Sequence, residues 1–232
     1  DSIKAIQTVR FKVVAIERVQ SSYIKVTSES KVQIKPRKLY LVNKEKKLEI
    51  LFVSGQNNNK AVVKPHTFPY LTFLLNPLGS MMRKNQHYTI NELGFHFMAK
   101  SIEFTLSKEK EFGNGLTYLG TQTKNNYKCH LLVYEAKSFP FFEYTVLEKE
   151  TVSSIAAKLI VNDYILRSKN NLYTEFGYLK AGTKLQVPVY YCKKTVFYLD
   201  EKTMLPVSVS VFDNIGLLEN YDFTNIILNK PI

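Results

Sequence analysis

From Tyr23 to Lys35 the chain alternates strictly enough to define its own backbone conformation. Ile24, Val26, Val32 and Ile34 share one parity, with Ser28 and Ser30 between them. Tyr23, Lys25, Thr27, Glu29, Lys31, Gln33 and Lys35 take the other. A period of two sends successive side chains to opposite faces, so this segment is an antiparallel strand with one covered and one wet face. A strand this long needs equally long neighbours, and the sequence supplies a series of candidates.

Shorter runs of the same kind are Phe11–Val19, Lys38–Val42, Leu48–Val53, Ala61–Val63, Leu116–Thr123, His130–Ala136, Thr195–Leu199, Val207–Phe212 and Tyr221–Leu228. Turn signals such as Gly55-Gln56-Asn57-Asn58-Asn59 and Asp213-Asn214-Ile215-Gly216 separate them. So many consecutive strands form a large antiparallel sheet that twists and curls toward a barrel or half-barrel. One helix interrupts them, expected from Ile90 to about Ser107, with Ile90, Leu93, Phe97, Met98, Ile102 and Leu106 as its apolar stripe. Thr89 and Glu92 have the spacing of a capping box, and Tyr88 and Leu93 that of a hydrophobic staple. The fold class is α+β, and a helix lying over a curved sheet leaves a pocket between the two.

Composition narrows the partners. Hydrophobic residues are 45% of the chain and Gly and Pro are few, which describes a globular protein. No apolar run reaches the roughly 18 residues of a membrane span. Of the net charge of +12, most sits between Asp1 and Lys64, where 14 Lys or Arg face 5 Asp or Glu. That surface favours anionic partners, an anionic membrane among them. No nucleic-acid-binding pattern accompanies the charge, so nucleic acid is not expected. Cys129 and Cys192 lie in strand-like segments, and spacing alone decides neither for nor against a bridge. His66, His87, His96 and His130 show no ligand spacing with the cysteines, so neither metal nor cofactor is expected.

A different pattern occupies residues 144–188. Tyr144-Thr145-Val146 and Leu185-Gln186-Val187 are β-prone and bracket two short helical patterns. The first carries Val152, Ile155, Ala156 and Leu159 behind Thr151. The second carries Tyr164, Ile165 and Leu166 behind Asn162 and Asp163. Lys180-Ala181-Gly182-Thr183 turns into the closing strand. This β-α-α-β order resembles the lysin motif (LysM), which binds N-acetylglucosamine-containing glycans such as peptidoglycan. What the resemblance implies is a glycan site at Lys149, Glu150 and Thr151 together with Asn170, Asn171, Leu172 and Tyr173. The usual first loop is Gly-Asp-Thr, and here Lys149 and Glu150 replace its first two residues, which puts a long side chain at a close-approach position.

The passage Asn76-Pro77-Leu78-Gly79-Ser80-Met81-Met82-Arg83, continuing through His87 to Thr89-Ile90-Asn91-Glu92-Leu93-Gly94, resembles the signature of a bacterial family of domains of unknown function numbered fifteen seventy-one. Leu205-Pro206 and the aromatic-rich segment Glu219–Asn229 are similar to that family's ending. The resemblance implies a fold like the lipoprotein carriers LolA and LolB, an unclosed half-barrel that shields an acyl chain. It divides the chain into a discontinuous half-barrel, 1–143 and 189–232, and a LysM-like insert, 144–188. It also implies a periplasmic protein. The sequence opens at Asp1 with no basic, apolar leader, so a signal peptide is expected to have been removed before it.

Two candidate sites follow in the half-barrel. Phe68, Tyr70, Leu71, Phe73 and Leu75, with Met81, Met82, Phe95 and Phe97, either line an acyl-chain cavity or form ordinary core. Arg83 and His87, beside a helix entrance, either hold an anionic headgroup or serve the structure as an ion pair and a turn. The function these readings lead to is non-enzymatic carriage of a lipid or lipoprotein acyl chain, with the insert contacting a peptidoglycan strand. The other reading is an envelope scaffold or sensor that binds another protein. A peptidoglycan-modifying enzyme ranks last, because no set of nucleophile, base and orienting group is recognisable.

Overall fold

Two antiparallel meanders meet at one seam. The first runs outward through β1 (Thr8–Val19), β2 (Ser22–Gln33), β3 (Lys38–Asn43), β4 (Leu48–Val53), β5 (Ala61–Pro65) and β6 (Phe73–Leu75). The second returns through β7 (Gly115–Lys124), β8 (Tyr127–Glu135), β11 (Lys194–Asp200), β12 (Pro206–Phe212) and β13 (Leu217–Leu228). Pairing of β1 with β13 joins them into one 11-stranded sheet of order β6-β5-β4-β3-β2-β1-β13-β12-β11-β8-β7. Its edges, β6 and β7, do not pair with each other, so the half-barrel is unclosed. The computed structural model describes residues 2–108 and 115–231. Among them no helix is long and apolar enough to cross a membrane.

The strand expectations hold to within a few residues. β6 is an addition, a three-residue edge inside what read as an undivided apolar stretch. The helix needs a correction. Ile90–Glu92 is a separate 3-10 turn, closed by the Glu92 carboxylate accepting from the Thr89 N–H at 2.7 Å. The α-helix proper is Phe95–Ser107 (α2; α1 is the single turn Ser80–Arg83). Gly94 lies between the two at φ 105°, a conformation open to glycine, and it breaks the helical path the apolar periodicity had suggested. Behind that break, Phe95 is fully buried. Its ring sits 5.8 Å from Phe11 and 5.1 Å from Phe223, which anchors the start of α2 on the seam strands. Burying one such ring is worth about 1.5–3 kcal/mol.

Between β8 and β11 the chain leaves the sheet and comes back. It forms β9 (Phe141–Thr145), α3 (Val152–Leu159), α4 (Asp163–Lys169) and β10 (Lys184–Pro188), with β9 and β10 paired only to each other. Thr151 caps α3: its hydroxyl accepts from Ser154 N at 3.0 Å while Ser154 Oγ accepts from Thr151 N at 2.8 Å. Asn162 caps α4, its side-chain oxygen accepting from the N–H groups of Tyr164 and Ile165. Val146, Val152, Ile155, Leu166, Leu185 and Val187 make a small core of this unit's own.

The other face of α4 belongs to the larger body. Tyr164 and Ile165 pack in a cluster with Tyr190, Phe197, Val209 and Leu218 from the sheet side. The two cysteines are buried and free. Cys129 stands opposite Asp200 at one end of the β8–β11 ladder, and Cys192 precedes Lys194 at the other end, so no bridge spans them. Burial pushes the Cys192 thiol up to about 12.

Candidate functional site

A cavity of about 200 Å³ lies between α2 and the concave face of the sheet. Phe97, Met98, Ile102 and Leu106 line it from the helix, and Val13, Ala15, Ile24, Val26, Val209 and Val211 from the strands. The cause lies in side-chain size. The inward parity of β1, β2 and β12 is mostly Val, Ala and Ser, and α2 adds the small Ser101 and Thr105 to the same wall. Those residues do not bring helix and sheet into close packing. A dry engineered cavity of roughly 150 Å³ takes up benzene, so this space is large enough for an apolar guest.

One region of the wall is polar, with Glu219 fully buried and Glu17 half-buried. Glu17 on β1 and Glu219 on β13 are direct cross-strand partners, and both line the cavity. Two carboxylates in that relation repel unless a positive group or several donors lie between them. His87 meets the need. Its Nδ1 lies 2.7 Å from Glu219 Oε2, its Nε2 lies 2.9 Å from the Arg18 carbonyl, and its backbone N–H donates to Glu17 Oε2 at 3.0 Å. A carbonyl and a carboxylate both accept, so each ring nitrogen carries a proton and His87 is an imidazolium. Burial opposes that charge, but hydrogen bonding to Glu219, the Glu17 and Glu219 charges and the Arg18 carbonyl outweigh it. The net result raises the pKa of His87.

Three phenols complete the cluster. Tyr221 donates to Glu17 at 2.6 Å, Tyr88 donates to Glu219, and the Tyr191 hydroxyl bonds that of Tyr88. Burial, with the nearby carboxylates, holds all three phenols well above the ordinary tyrosine range. The result is an apolar chamber with a patch of hydrogen-bonding oxygens on its wall.

Of the residues the sequence suggested for an acyl cavity, Phe97 alone lines this one. Phe68, Tyr70, Leu71, Phe73 and Met81 are exposed on the β5–α1 segment, with Phe68 at 86% and Met81 at 74%. Leu75, Met82 and Phe95 pack in or against the core of the first meander. The physical reason is topological: β6 is the sheet's outer edge, five strands from the seam over which α2 lies.

Arg83 and His87 are almost fully buried. Arg83 pairs with Asp163 of α4 at 3.0 Å, and the His87 ring stacks on Tyr164. Both side chains therefore join the half-barrel to the β9–β10 unit.

In that unit, Glu150 accepts from Tyr144 Oη at 2.7 Å, Leu147 N at 2.9 Å and Lys158 Nζ at 3.1 Å. Thr151 is occupied in its cap. Asn170 bolts α4 to β10 through Gln186 N and O, and Leu172 packs against the unit's core. The Tyr173 hydroxyl bonds Ser168 at 3.0 Å. Lys149 and Asn171 adopt left-handed backbone, φ 60° and 56°, where glycine would be unstrained.

The sequence reading passed over Glu17, Glu219, Tyr88, Tyr191 and Tyr221. A signal was present. Glu17 shares inward parity with Val13 and Ala15, and Glu219 with Tyr221 and Phe223, so each carboxylate interrupts an otherwise apolar face. Their pairing needed the β1–β13 register, which spans most of the chain.

Fold and site together define an unclosed antiparallel half-barrel of the α+β class with an apolar chamber under its covering helix. Residues 9–146, more than half of the chain, match the family described as protein of unknown function (DUF1571), and the protein belongs to that family. No curated protein matches it. Among solved structures it is similar to the Mycobacterium tuberculosis lipoprotein LppX at 14% identity, covering 100% of this chain and 91% of that one, with a TM-score of 0.46. It is also similar to LprF from Mycobacterium bovis (8% identity, 100% and 89% covered, TM-score 0.41). A LolA superfamily protein from Nitrosomonas europaea is a further match (7% identity, 98% and 89% covered, TM-score 0.26). With likeness this distant, what the protein binds is a question for its own cavity.

Proposed function

We propose that this protein binds and shelters an apolar, lipid-like molecule in the cell envelope, by binding rather than by chemical turnover. The observation that carries the reading is the chamber of about 200 Å³ between α2 and the sheet, walled by aliphatic and aromatic side chains. An acyl chain gains about 0.8 kcal/mol per buried CH₂, so even a chain partly housed there is held firmly. The buried carboxylates do not resemble a poised acid–base pair, because phenols and an imidazolium already occupy Glu219 and Glu17.

Two surfaces extend the proposal. Phe68, Tyr70 and Leu71 form an exposed apolar run between β5 and β6, and Met81 is exposed on α1, on a chain of net charge +12. Contiguous apolar exposure of this kind marks an interaction surface, and the charge favours an anionic membrane as the occupant. The β9–β10 unit (a LysM-like insert over 144–188 in a half-barrel of 1–143 and 189–232) is the part proposed to contact peptidoglycan in the periplasm. Its order of elements supports that role, while the internal use of Glu150, Asn170 and the Tyr173 hydroxyl leaves the backbone and the exposed Lys149 and Asn171 as the contacts to offer.

Native mass spectrometry with lipid extraction of the purified protein tests the carrier role. A co-purifying apolar compound is expected. A protein that emerges empty and takes up no hydrophobic probe removes the carrier reading and leaves the scaffold or sensor. Sedimentation with insoluble peptidoglycan, reversed by N-acetylglucosamine oligomers, tests the wall contact separately.

A further inference from the structure

The ionisable side chains that line the chamber are acidic, apart from the tyrosines and Cys192, on a chain that is basic as a whole. The chain carries 32 Lys and Arg, yet the residues lining the cavity include Glu17, Glu92 and Glu219 and, among the described residues, no Lys, Arg or His. An anionic head entering this space would meet carboxylates; the one cation bonded to them among the described residues, His87, has its ring nitrogens committed to Glu219 and the Arg18 carbonyl, which leaves only neutral donors such as Asn43 and Gln86 in the lining.

Proton accounting sharpens the point. The Tyr221 proton goes to Glu17 and the Tyr88 proton to Glu219. With Tyr88 donating there, the hydroxyl pair leaves Tyr191 as donor to Tyr88. The imidazolium protons of His87 go to Glu219 and to the Arg18 carbonyl, and its backbone proton to Glu17. Every proton of the cluster is directed inward. What the carboxylate and phenol oxygens still offer the chamber is lone pairs.

We infer that the protein selects an apolar molecule whose head donates hydrogen bonds and carries no negative charge, such as a hydroxyl, over one ending in a carboxylate or phosphate. This rests on the proposed binding of a lipid-like ligand and names the head chemistry of that ligand. A hydroxyl placed at the patch donates to an anionic acceptor, which is a stronger bond than one between neutral groups. An ether with the same hydrocarbon body brings only another acceptor. A carboxylate adds a buried like charge, which is costlier still.

The test uses three probes with the same ten-carbon body: 1-decanol, its methyl ether and decanoate, competing with a fluorescent hydrophobic dye on the intact protein at pH 7. Decanol is expected to bind about tenfold or more tighter than the ether, as a charge-assisted hydrogen bond implies, with decanoate weakest. Glu219→Gln supplies an N–H donor at the patch and is expected to shrink both gaps. Tyr191→Phe, which removes one acceptor and little packing, guards against a Glu219 variant that fails to fold, and is expected to narrow the gap between alcohol and ether. Equal binding of alcohol and ether, or tighter binding of decanoate, overturns this inference while the carrier reading stands. Binding of none of the three overturns both.

Discussion

His87 lies face to face on Tyr164, their ring centroids 4.0 Å apart and the planes 15° from parallel. The same imidazole reaches the cavity patch through Glu219, and Tyr164 belongs to α4 of the β9–β10 unit. One side chain thus ties three parts of the molecule together: the paired glutamates at the seam, the turn before α2, and the excursion from the sheet.

Because folding raises the pKa of His87 above its ordinary value of 6.5, the folded state holds that proton more tightly than the unfolded chain does. Its stabilising contribution is complete below about pH 6.5, the unfolded value, and is lost as pH rises through the raised folded value. Thermal melting between pH 6 and pH 9 should therefore show a falling midpoint, by about 2–4 °C for each kcal/mol lost. In His87→Gln that slope should flatten. An unchanged slope in the variant would assign the effect to other groups.

Arg83 and Asp163 form a buried ion pair between α1 and α4. Asp163 is also bonded by Arg167, so removing Arg83 leaves that carboxylate with one cation where it had two, a loss of about 1.5–3 kcal/mol for a charged hydrogen bond. Arg83→Met is expected to lower the denaturant midpoint accordingly. It should also speed amide hydrogen exchange in 163–169 more than in β12. Uniform exchange changes across both regions would mean that the pair stabilises the whole body and has no special part in docking α4.

Ala15 lines the chamber with only a methyl group, flanked by Val13 and Glu17 of the same parity. Ala15→Leu fills space instead of displacing packed neighbours, so stability should change by less than about 1.5 kcal/mol. Uptake of a hydrophobic dye should drop about four- to fifteenfold, the order expected for losing the room of one or two methylenes. Undiminished uptake by a folded Ala15→Leu protein would place the guest somewhere else.

Phe68 and Met81 are exposed and make none of the core contacts. The double change Phe68→Ser, Met81→Ser should leave the melting midpoint within about 1–2 °C, as surface substitutions do. Its binding to vesicles containing anionic phospholipid should weaken several-fold, with wild-type binding declining as salt rises. Wild-type protein that ignores such vesicles at low salt is the outcome that sinks the membrane-contact idea.

Local order was legible wherever a single element controlled it. The parity of Ile24, Val26 and Val32, the caps at Thr151 and Asn162, and the β-α-α-β sequence of elements all depend on side chains a few residues apart. The boundary of α2 was less legible. An apolar stripe continues through Ile90 and Leu93, and Gly94 breaks the helix by a backbone conformation that periodicity does not register.

The chamber was hidden for a different reason. Phe68 to Leu75 looked the greasiest, but an edge strand leaves most of these residues exposed, while modest Val, Ala and Ser positions on β1, β2 and β12 were left with space above them. The chain's own pattern determined that there would be a long antiparallel sheet, a covering helix and a small helical excursion, because period and capping are local properties. Only the tertiary structure decided that Glu17 would face Glu219, with His87 bonded to both, since that meeting depends on a register between strands some 200 residues apart.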